Sequence, residues 1–148
     1  MPLNTLPLPP RLYRNLTFRG GKKSVQGKNV YVIIDALSLK GSIISLKEDN
    51  ITLQIGKGAK LNNVRITITG DNNRLIIGKS VRFVQDGHLK IEDCCNSIEI
   101  SDHTTINNAF LSCGDKNTSI TIGTDCFFSS EVILRIYDYT PFFHTIAT

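Results

Sequence analysis

A repeat with a period of about 22 residues limits the fold of this chain more than any other feature, since a fixed period of this size is typical of stacked repeat architectures. Each copy opens on an asparagine, continues with alternating apolar side chains, and reaches an isoleucine. The asparagines are Asn29, Asn50, Asn73, Asn96 and Asn117, at steps of 21, 23, 23 and 21. The isoleucines are Ile34, Ile55, Ile77, Ile100 and Ile122, and each of their steps matches the asparagine step to within one position. Because the copies contain short β-like runs, the period indicates a stacked β-solenoid.

The repeat predicts an all-β fold, a single-stranded parallel β-helix of about five coils. Each coil would run around a triangle. In the third copy, the sides would be Arg74 to Ile77, Val81 to Phe83 and His88 to Ile91. Apolar residues six positions apart across the first corner, such as Ile77 and Phe83, would both point inward. About 4.8 Å further along the axis, every strand would find a parallel neighbour and every isoleucine another isoleucine.

Glycine and asparagine are expected to form the corners. Gly56, Gly78 and Gly123 follow the isoleucine in three copies, and we expect them to turn the chain with a positive φ. The asparagines also suit tight corners, and in register their amides would form a hydrogen-bonded ladder along the axis. These expectations concern structure and give no evidence of catalysis.

Composition divides the chain into three regions. Residues 1–28 hold four of the five prolines and carry a net charge of +6 with no acidic residue, whereas the remainder carries −2. We interpret 1–28 as a Pro-rich basic leader or cap with a loop at Gly20 to Ser24. Its residues 11–28 would suit an acidic partner or form a solvated arm. Residues 29–138 form the predicted β-helix, and 139–148 form an apolar C-terminal tail.

The four cysteines do not have the spacing of a metal site, so no metal is predicted. Cys94 and Cys95 are adjacent, whereas Cys113 and Cys126 stand alone. Because a disulfide between neighbouring residues strains the backbone, we predict four reduced thiols, which indicates a cytoplasmic protein. The first residues lack the pattern of a signal peptide, so export is not predicted. No apolar stretch reaches the length of about 18 residues that a membrane span requires, so no span is predicted either.

The last copy carries the most specific phrase in the chain. The six-residue step of an aliphatic residue, Gly, variable residues and a small or β-branched residue resembles the hexapeptide repeat of left-handed β-helix acyltransferases. The segment Ile122–Arg135, IGTDCFFSSEVILR, resembles a phrase of the bacterial group that O-acetylates capsules and other surface polysaccharides. There, aliphatic-Gly-x-Asp-Cys-Met-Phe-Ser-Ser precedes alternating aliphatic residues and Arg-Thr-x-Asp-x-His-Ser. The resemblance covers roughly 29–138.

The resemblance implies a homotrimeric O-acetyltransferase that takes acetyl-CoA as co-substrate and has its active sites between adjacent prisms. A histidine would act as general base toward a hydroxyl of the acceptor saccharide. Aligned on Arg135, Asp138 falls on the family's aspartate, but Thr140 occupies the place of its histidine. The nearest histidine is His144, so Asp138 and His144 are the candidate catalytic residues. Since the chain ends before the coils that complete the family's coenzyme groove, weak or absent activity is also expected.

Two alternatives stay open. The first is a non-catalytic structural or binding module, a trimeric β-prism whose basic leader meets an acidic partner. The second is a right-handed β-helix fragment of the carbohydrate-processing or cell-surface kind, since parallel crossovers are usually right-handed. The six-residue corner interval favours left-handed winding. Unpaired strands at both ends of a short prism predict subunit contacts, and His88 and His103 are assigned to solvated corners.

Overall fold

The computed structural model describes residues 11–14 and 21–137. Within these residues the chain forms sixteen short strands and no helix. In chain order the strands are β1 (Arg11–Arg14), β2 (Lys22–Val25), β3 (Val30–Ile34), β4 (Ile43–Leu46), β5 (Thr52–Ile55), β6 (Lys60–Leu61), β7 (Val64–Ile68), β8 (Arg74–Ile77), β9 (Arg82–Phe83), β10 (Gly87–Ile91), β11 (Ser97–Ile100), β12 (Thr105–Ile106), β13 (Ala109–Cys113), β14 (Ser119–Ile122), β15 (Phe127–Phe128) and β16 (Val132–Ile136).

The strands form three parallel sheets, which are the three faces of a prism. The first face has the order β1-β3-β5-β8-β11-β14, the second β6-β9-β12-β15, and the third β2-β4-β7-β10-β13-β16. Because every strand pairs with the strand one coil away, the chain is a parallel β-solenoid of about five turns. The spacing of its coils is about 22 residues, which lies within the range of repeat proteins. This confirms the predicted all-β parallel β-helix, while left-handed winding stays a prediction.

The interior of the prism consists of columns of aliphatic side chains. Register places Ile34, Ile55, Ile77, Ile100 and Ile122 in one column, as predicted. The six-residue pairs also point inward: Ile77 and Phe83 are each 1% exposed, and the other three pairs are buried except for the partly exposed Phe128. Alternation along each strand therefore supplies the core, because successive side chains of a strand point to opposite sides of the sheet.

The first corner does not use glycine as predicted. None of Gly56, Gly78 and Gly123 has a positive φ; the left-handed residues lie two positions later, at Gly58, Ser80, His103 and Asp125. Gly56 is instead required for close approach, since a Cβ there would lie 2.6 Å from the carbonyl carbon of Gly78. Likewise, a Cβ on Gly78 would overlap Oδ1 of Asp102, whereas one on Gly123 would meet only Cys126 Sγ, at 3.8 Å.

The five asparagines fall into two neighbouring columns rather than one. Asn29, Asn50 and Asn117 have a positive φ, and Asn72 and Cys95 hold the same place in the other two coils. Asn73 and Asn96 lie one residue later, where their side chains are buried. Residues with a small polar side chain tolerate the left-handed region best, which explains the asparagines of the first column.

The buried column contains the predicted amide ladder, but over three coils only. Asn73 Oδ1 accepts a hydrogen bond from the backbone N–H of Asn96 at 2.9 Å, and Asn96 Oδ1 accepts one from Thr118 N at 2.7 Å. Each amide nitrogen donates to a backbone carbonyl: Asn73 Nδ2 to Asp93 at 2.8 Å, and Asn96 Nδ2 to Glu92 at 2.6 Å. The amides thus satisfy buried backbone groups of successive coils.

The region before residue 29 contributes backbone pairs to the prism. Strand β1 pairs with β3 on the first face, and β2 pairs with β4 on the third face. Lys22, Lys23 and Ser24, which were predicted to lie in a loop, are part of β2. The first complete coil is therefore covered by strands of this basic region.

Candidate functional site on the third face

Asp138 and His144, the predicted catalytic residues, lie outside the described residues, as do Thr140 and the predicted tail 139–148. The described chain reaches Tyr137, one residue after β16 ends. The phrase Ile122–Arg135 spans the end of β14, β15 and most of β16, so it belongs to the last coil. Its final residue, Arg135, points outward on the third face, where a group of functional side chains lies.

We call this group the third-face cluster: His88, Phe110, Ser112, Arg135 and Tyr137. The cluster arises from register. His88 of β10 pairs with Phe110 of β13, and Lys90 pairs with Ser112, which pairs with Arg135 of β16. These positions alternate with the core residues of the same strands, so they share the outer side of the face.

Aromatic rings and a guanidinium group pack against each other in the cluster. The ring centroids of His88 and Phe110 are 5.1 Å apart at an angle of 38°. The Arg135 guanidinium carbon lies 5.2 Å from the centre of the Phe110 ring and 6.0 Å from that of Tyr137. Both distances are within the range of cation–π attraction. The exposed Arg135 is thereby held over two rings, one on β13 and one just after the end of β16.

Hydrogen bonds fix Tyr137 at the other side of the cluster. Its hydroxyl shares a hydrogen bond of 2.8 Å with the buried Ser112 Oγ and donates to Glu92 Oε2 at 3.3 Å. Glu92 also forms an ion pair of 3.4 Å with Lys90. The Tyr137 ring lies directly over Gly114, where any Cβ would overlap it. A glycine one coil earlier is therefore what lets the tyrosine lie flat on the face.

Among the titratable groups of the third-face cluster, His88 is the one best suited to a chemical role. Burial, followed by the charges of Arg65 and Lys90, lowers the pKa of His88, so its imidazole is neutral near pH 7. Its Nε2 is buried and makes no hydrogen bond to the described protein. The assignment of His88 to a solvated corner is wrong, because it lies within β10. His103 does lie at a corner, exposed and with φ 63°.

Of the concavities among the described residues, two bear on this site. A groove of about 330 Å³ beside the cluster is lined by Asp86, His88, Asn108 and Phe110, among others. The other concavity, of about 310 Å³, lies at the end of the prism that β14 to β16 form among the described residues. It is lined mainly by inward-facing apolar residues of β14 to β16. Since that second concavity is formed by core-facing residues of the last coil, directly before the part of the chain that the structure does not describe, the groove beside His88 is the better candidate for a ligand.

Among the described residues, no group of three metal-ligating side chains is close enough to hold a metal ion. In the same part of the chain, no helix is long and apolar enough to cross a membrane.

Sequence reasoning missed Phe110 and Tyr137 entirely. The signal was the coil period itself, because His88 and Phe110 are one period apart, and so are Lys90 and Ser112. Residues separated by one period on the outer face of a strand become neighbours in space. The outer face thus needed the same register analysis as the isoleucine column.

Comparison with known proteins does not supply a family: no family model matches this chain, and neither the curated proteins nor the solved structures yield a match. The parallel β-solenoid is therefore established by the strand pairing described above. A function has to be argued from the third-face cluster and from the residues of the last coil.

Proposed function

We propose that this chain is an acetyl-CoA-dependent O-acetyltransferase-like β-solenoid whose third-face cluster binds the acceptor saccharide. The observation that carries the proposal is the position of Arg135. The phrase that resembles polysaccharide O-acetyltransferases ends at this residue, and Arg135 lies over Phe110 and Tyr137 in the cluster. The resembling segment and the cluster therefore form one continuous surface.

The groove beside His88 offers the groups that a saccharide requires. The Phe110 ring gives an apolar surface against which a pyranose ring packs. The Asn108 side chain offers hydrogen bonds to hydroxyl groups, Asp86 adds a carboxylate acceptor, and the His88 ring lines the same groove with its Nε2 turned into a buried position. Apolar contact with a few convergent polar groups is the usual composition of a small-molecule site.

The proposed reaction moves an acetyl group from a thioester to a hydroxyl. The sugar oxygen attacks the thioester carbonyl carbon while a general base accepts the hydroxyl proton, and the carbon–sulfur bond breaks to release coenzyme A. His144, the histidine nearest to the place that Thr140 occupies, is assigned as the base, and Asp138, which matches the family's aspartate, as the carboxylate that orients it. His88 is assigned to saccharide binding, and no residue is assigned to acetyl-CoA.

The test is acetyl transfer to bacterial surface saccharides, followed by the mass of the acetylated product. We expect His144→Ala to abolish transfer and His88→Ala to raise KM for the saccharide with little change in kcat. The control is His103→Ala, which changes an exposed corner histidine and should leave both constants unchanged. Absence of heat on titration with millimolar acetyl-CoA would refute the enzyme proposal.

Assembly as a homotrimer, with left-handed coils, belongs to the same proposal. Phe127 on the second face is 68% exposed and Ile133 on the third face 64% exposed, and large apolar side chains of this kind favour a subunit contact. Analytical ultracentrifugation should find a trimer, and Phe127→Ser together with Ile133→Ser should shift it toward the monomer. A wild-type protein that stays monomeric at high concentration would contradict the trimer.

A second candidate function is a non-catalytic module that binds an acidic partner in the cytoplasm. It is favoured by exposed cations on the second face: Lys60 and Arg82 stand in register on neighbouring strands, and Lys40 lines the same groove. Together with the basic residues 11–28 they would bind an acidic polymer by charge. Binding that weakens steeply with salt, in a protein without acetyl transfer, would favour this module.

A further inference from the structure

The corner between β10 and β11 carries two adjacent thiols. Cys94 and Cys95 are both free, Cys95 is exposed and Cys94 is partly exposed. The Cys95 thiol donates a hydrogen bond to the Cys94 sulfur, with the two Sγ atoms 2.9 Å apart. A disulfide bond is about 2.05 Å long, so the sulfurs need to approach by only about 0.9 Å to bond. The backbone of this corner already directs both side chains toward one another.

The surrounding backbone explains this arrangement. Asp93 and Cys95 have φ values of 59° and 66°, and Asp93 Oδ1 accepts a hydrogen bond from Cys94 N at 2.9 Å. In the neighbouring coils the place of Cys95 is held by Asn72 and Asn117, which suit a left-handed φ better than cysteine does. The fold of the corner therefore gives no reason for a cysteine at this position.

We propose that Cys94 and Cys95 are a redox-modification site, which a peroxide converts into a reversible disulfide between the two adjacent residues. One thiolate attacks a peroxide oxygen, the O–O bond breaks, and hydroxide leaves as the sulfur becomes a sulfenic acid. The second thiol then attacks that sulfur, so that the S–S bond forms and water leaves. In total, two thiols lose two hydrogens and hydrogen peroxide becomes two molecules of water.

The resulting ring is strained and therefore easy to reduce. Neighbouring Cα atoms are about 3.8 Å apart, whereas disulfides usually join Cα atoms at least about 4.4 Å apart. Strained and exposed disulfides have the higher reduction potentials and tend to be the regulatory ones. From the sequence, this strain argued against a bridge between adjacent cysteines. In a redox site the same strain makes the disulfide easy for a cellular dithiol to reduce, so it would be reversible and would not stabilise the fold.

Ring closure would act on the contacts between coils. The peptide that joins the two cysteines is bonded on both sides: Cys95 N donates to the Asp71 carbonyl, and Asn117 N donates to the Cys94 carbonyl, both at 3.2 Å. Reorienting this peptide weakens both bonds. We expect faster hydrogen exchange at the amides of Cys95 and Asn117 in the oxidised protein, while the amide ladder at Asn73 and Asn96 stays protected.

The reaction should also depend on pH. The hydrogen-bonded Cys95 thiol beside it, then burial and the charge of Asp93, raise the pKa of the Cys94 thiol, and the charge of Lys116 opposes them, so less of it is thiolate at neutral pH. Ring closure is therefore expected to accelerate as the pH rises above neutrality, because the thiolate is the reacting form.

The experiment uses the folded full chain, treated with hydrogen peroxide, alkylated at the remaining thiols and digested with a protease that cleaves before Asp. The peptide 93–101 then contains Cys94 and Cys95 without the other two cysteines. We expect it to lose the mass of two hydrogens, to escape alkylation and to regain both thiols with dithiothreitol. Cys126→Ser is the matched control, because it removes another partly exposed thiol and should leave ring closure unchanged.

Recovery of 93–101 with both cysteines alkylated, at a peroxide dose that oxidises Cys126, would overturn the proposal. So would a covalent dimer joined through Cys95 in place of the intramolecular ring. Phenylarsine oxide, which bridges two thiols, gives a second readout: one adduct per wild-type chain is expected and none on Cys95→Ser. Absence of the wild-type adduct would equally contradict a paired site, and neither readout depends on acetyl transfer.

Discussion

The middle coil, which contains β8 to β10, and the last coil, which contains β14 to β16, contribute residues to the same core columns. The middle coil has a described coil on each side, whereas the last coil has one on one side only. In the middle coil, Leu75, Ile77 and Phe83 are at most 1% exposed. In the last coil, the corresponding Ile120 and Ile122 are 6% and 5% exposed, and Phe128 is only partly buried. Burial in this solenoid is therefore set by the coil on each side and not by residue type, as expected where each repeat contacts only its neighbours.

Truncating a core phenylalanine should give the largest difference between the two coils. Phe83→Ala is expected to lower the free energy of unfolding by about 3–5 kcal/mol, because it leaves a closed cavity. Phe128→Ala should cost about 1–2 kcal/mol, since one side of that ring already meets solvent. Urea denaturation measures both, and equal losses would mean that the last coil is covered in solution.

The next difference lies in the glycine column. Gly78→Ala is expected to cost about 1–3 kcal/mol, the range of overpacking, because its Cβ would lie 2.8 Å from the Asp102 backbone nitrogen. Gly123→Ala is the matched control in the last coil, where the nearest atom is 3.8 Å away, and it should be neutral or slightly stabilising. Thermal unfolding of both variants tests this, and equal destabilisation would show that Gly123 is packed as closely as Gly78.

A single hydroxyl of the intervening coil, β11 to β13, is hydrogen-bonded to the last coil. Thr104 Oγ1 donates to the Gly123 carbonyl at 2.7 Å and accepts from Cys126 N at 3.1 Å. Thr104→Val should cost about 1 kcal/mol, the low end for losing such bonds, because the bonded residues Gly123 and Cys126 are exposed and partly exposed. Hydrogen exchange should quicken at the Cys126 amide and stay unchanged in the middle coil. Thr105→Val, at a half-exposed outward position, is the control and should not alter that amide.

The smallest expected effect is the pH dependence of folding stability that His88 causes on the outer side of the third face. Because the pKa of His88 is lowered in the folded protein, the unfolded chain binds a proton first as the pH falls through the ordinary histidine range. His88 therefore favours folding above about pH 6.5, and this contribution is lost at lower pH. His88→Gln should unfold with a shallower loss of stability between pH 7 and 5. An identical pH slope in both proteins would show that His88 is hydrated.

The sequence predicted the elements that depend on one strand alone. Arg74 to Ile77 is β8 as expected, and the isoleucine column is continuous, because alternation and spacing record which side chains face inward. The corners were harder. A left-handed residue at Ser80 or His103 is decided by the turn type, which the neighbouring Gly78 does not reveal. Two adjacent columns both accept asparagine, so the shift of one residue at Asn73 appeared in the spacing only as a one-position difference between the asparagine and isoleucine steps.

The candidate site was less predictable, for a different physical reason. His88, Phe110 and Arg135 come together through register across three coils, and each alone looks like an ordinary outward residue of a strand. Asp138, which matches the family's aspartate, and His144, the histidine nearest to the family's histidine position, remain predictions. The close approach of the Cys94 and Cys95 thiols could not be read from their adjacency, since it depends on the left-handed φ of Cys95.

The constant register has a consequence for how such a chain changes length. Excising residues 73–95 would join Asn72 directly to Asn96. Every later residue would keep its place in its column, and the coil that begins at Asn96 would then stack on the coil that ends at Asn72. Insertions and deletions of a whole period would thus leave the other residues in their columns. The loss of one residue would instead move each following side chain out of its column. The gene of a protein built this way can therefore gain or lose whole coils without changing how the remaining coils stack.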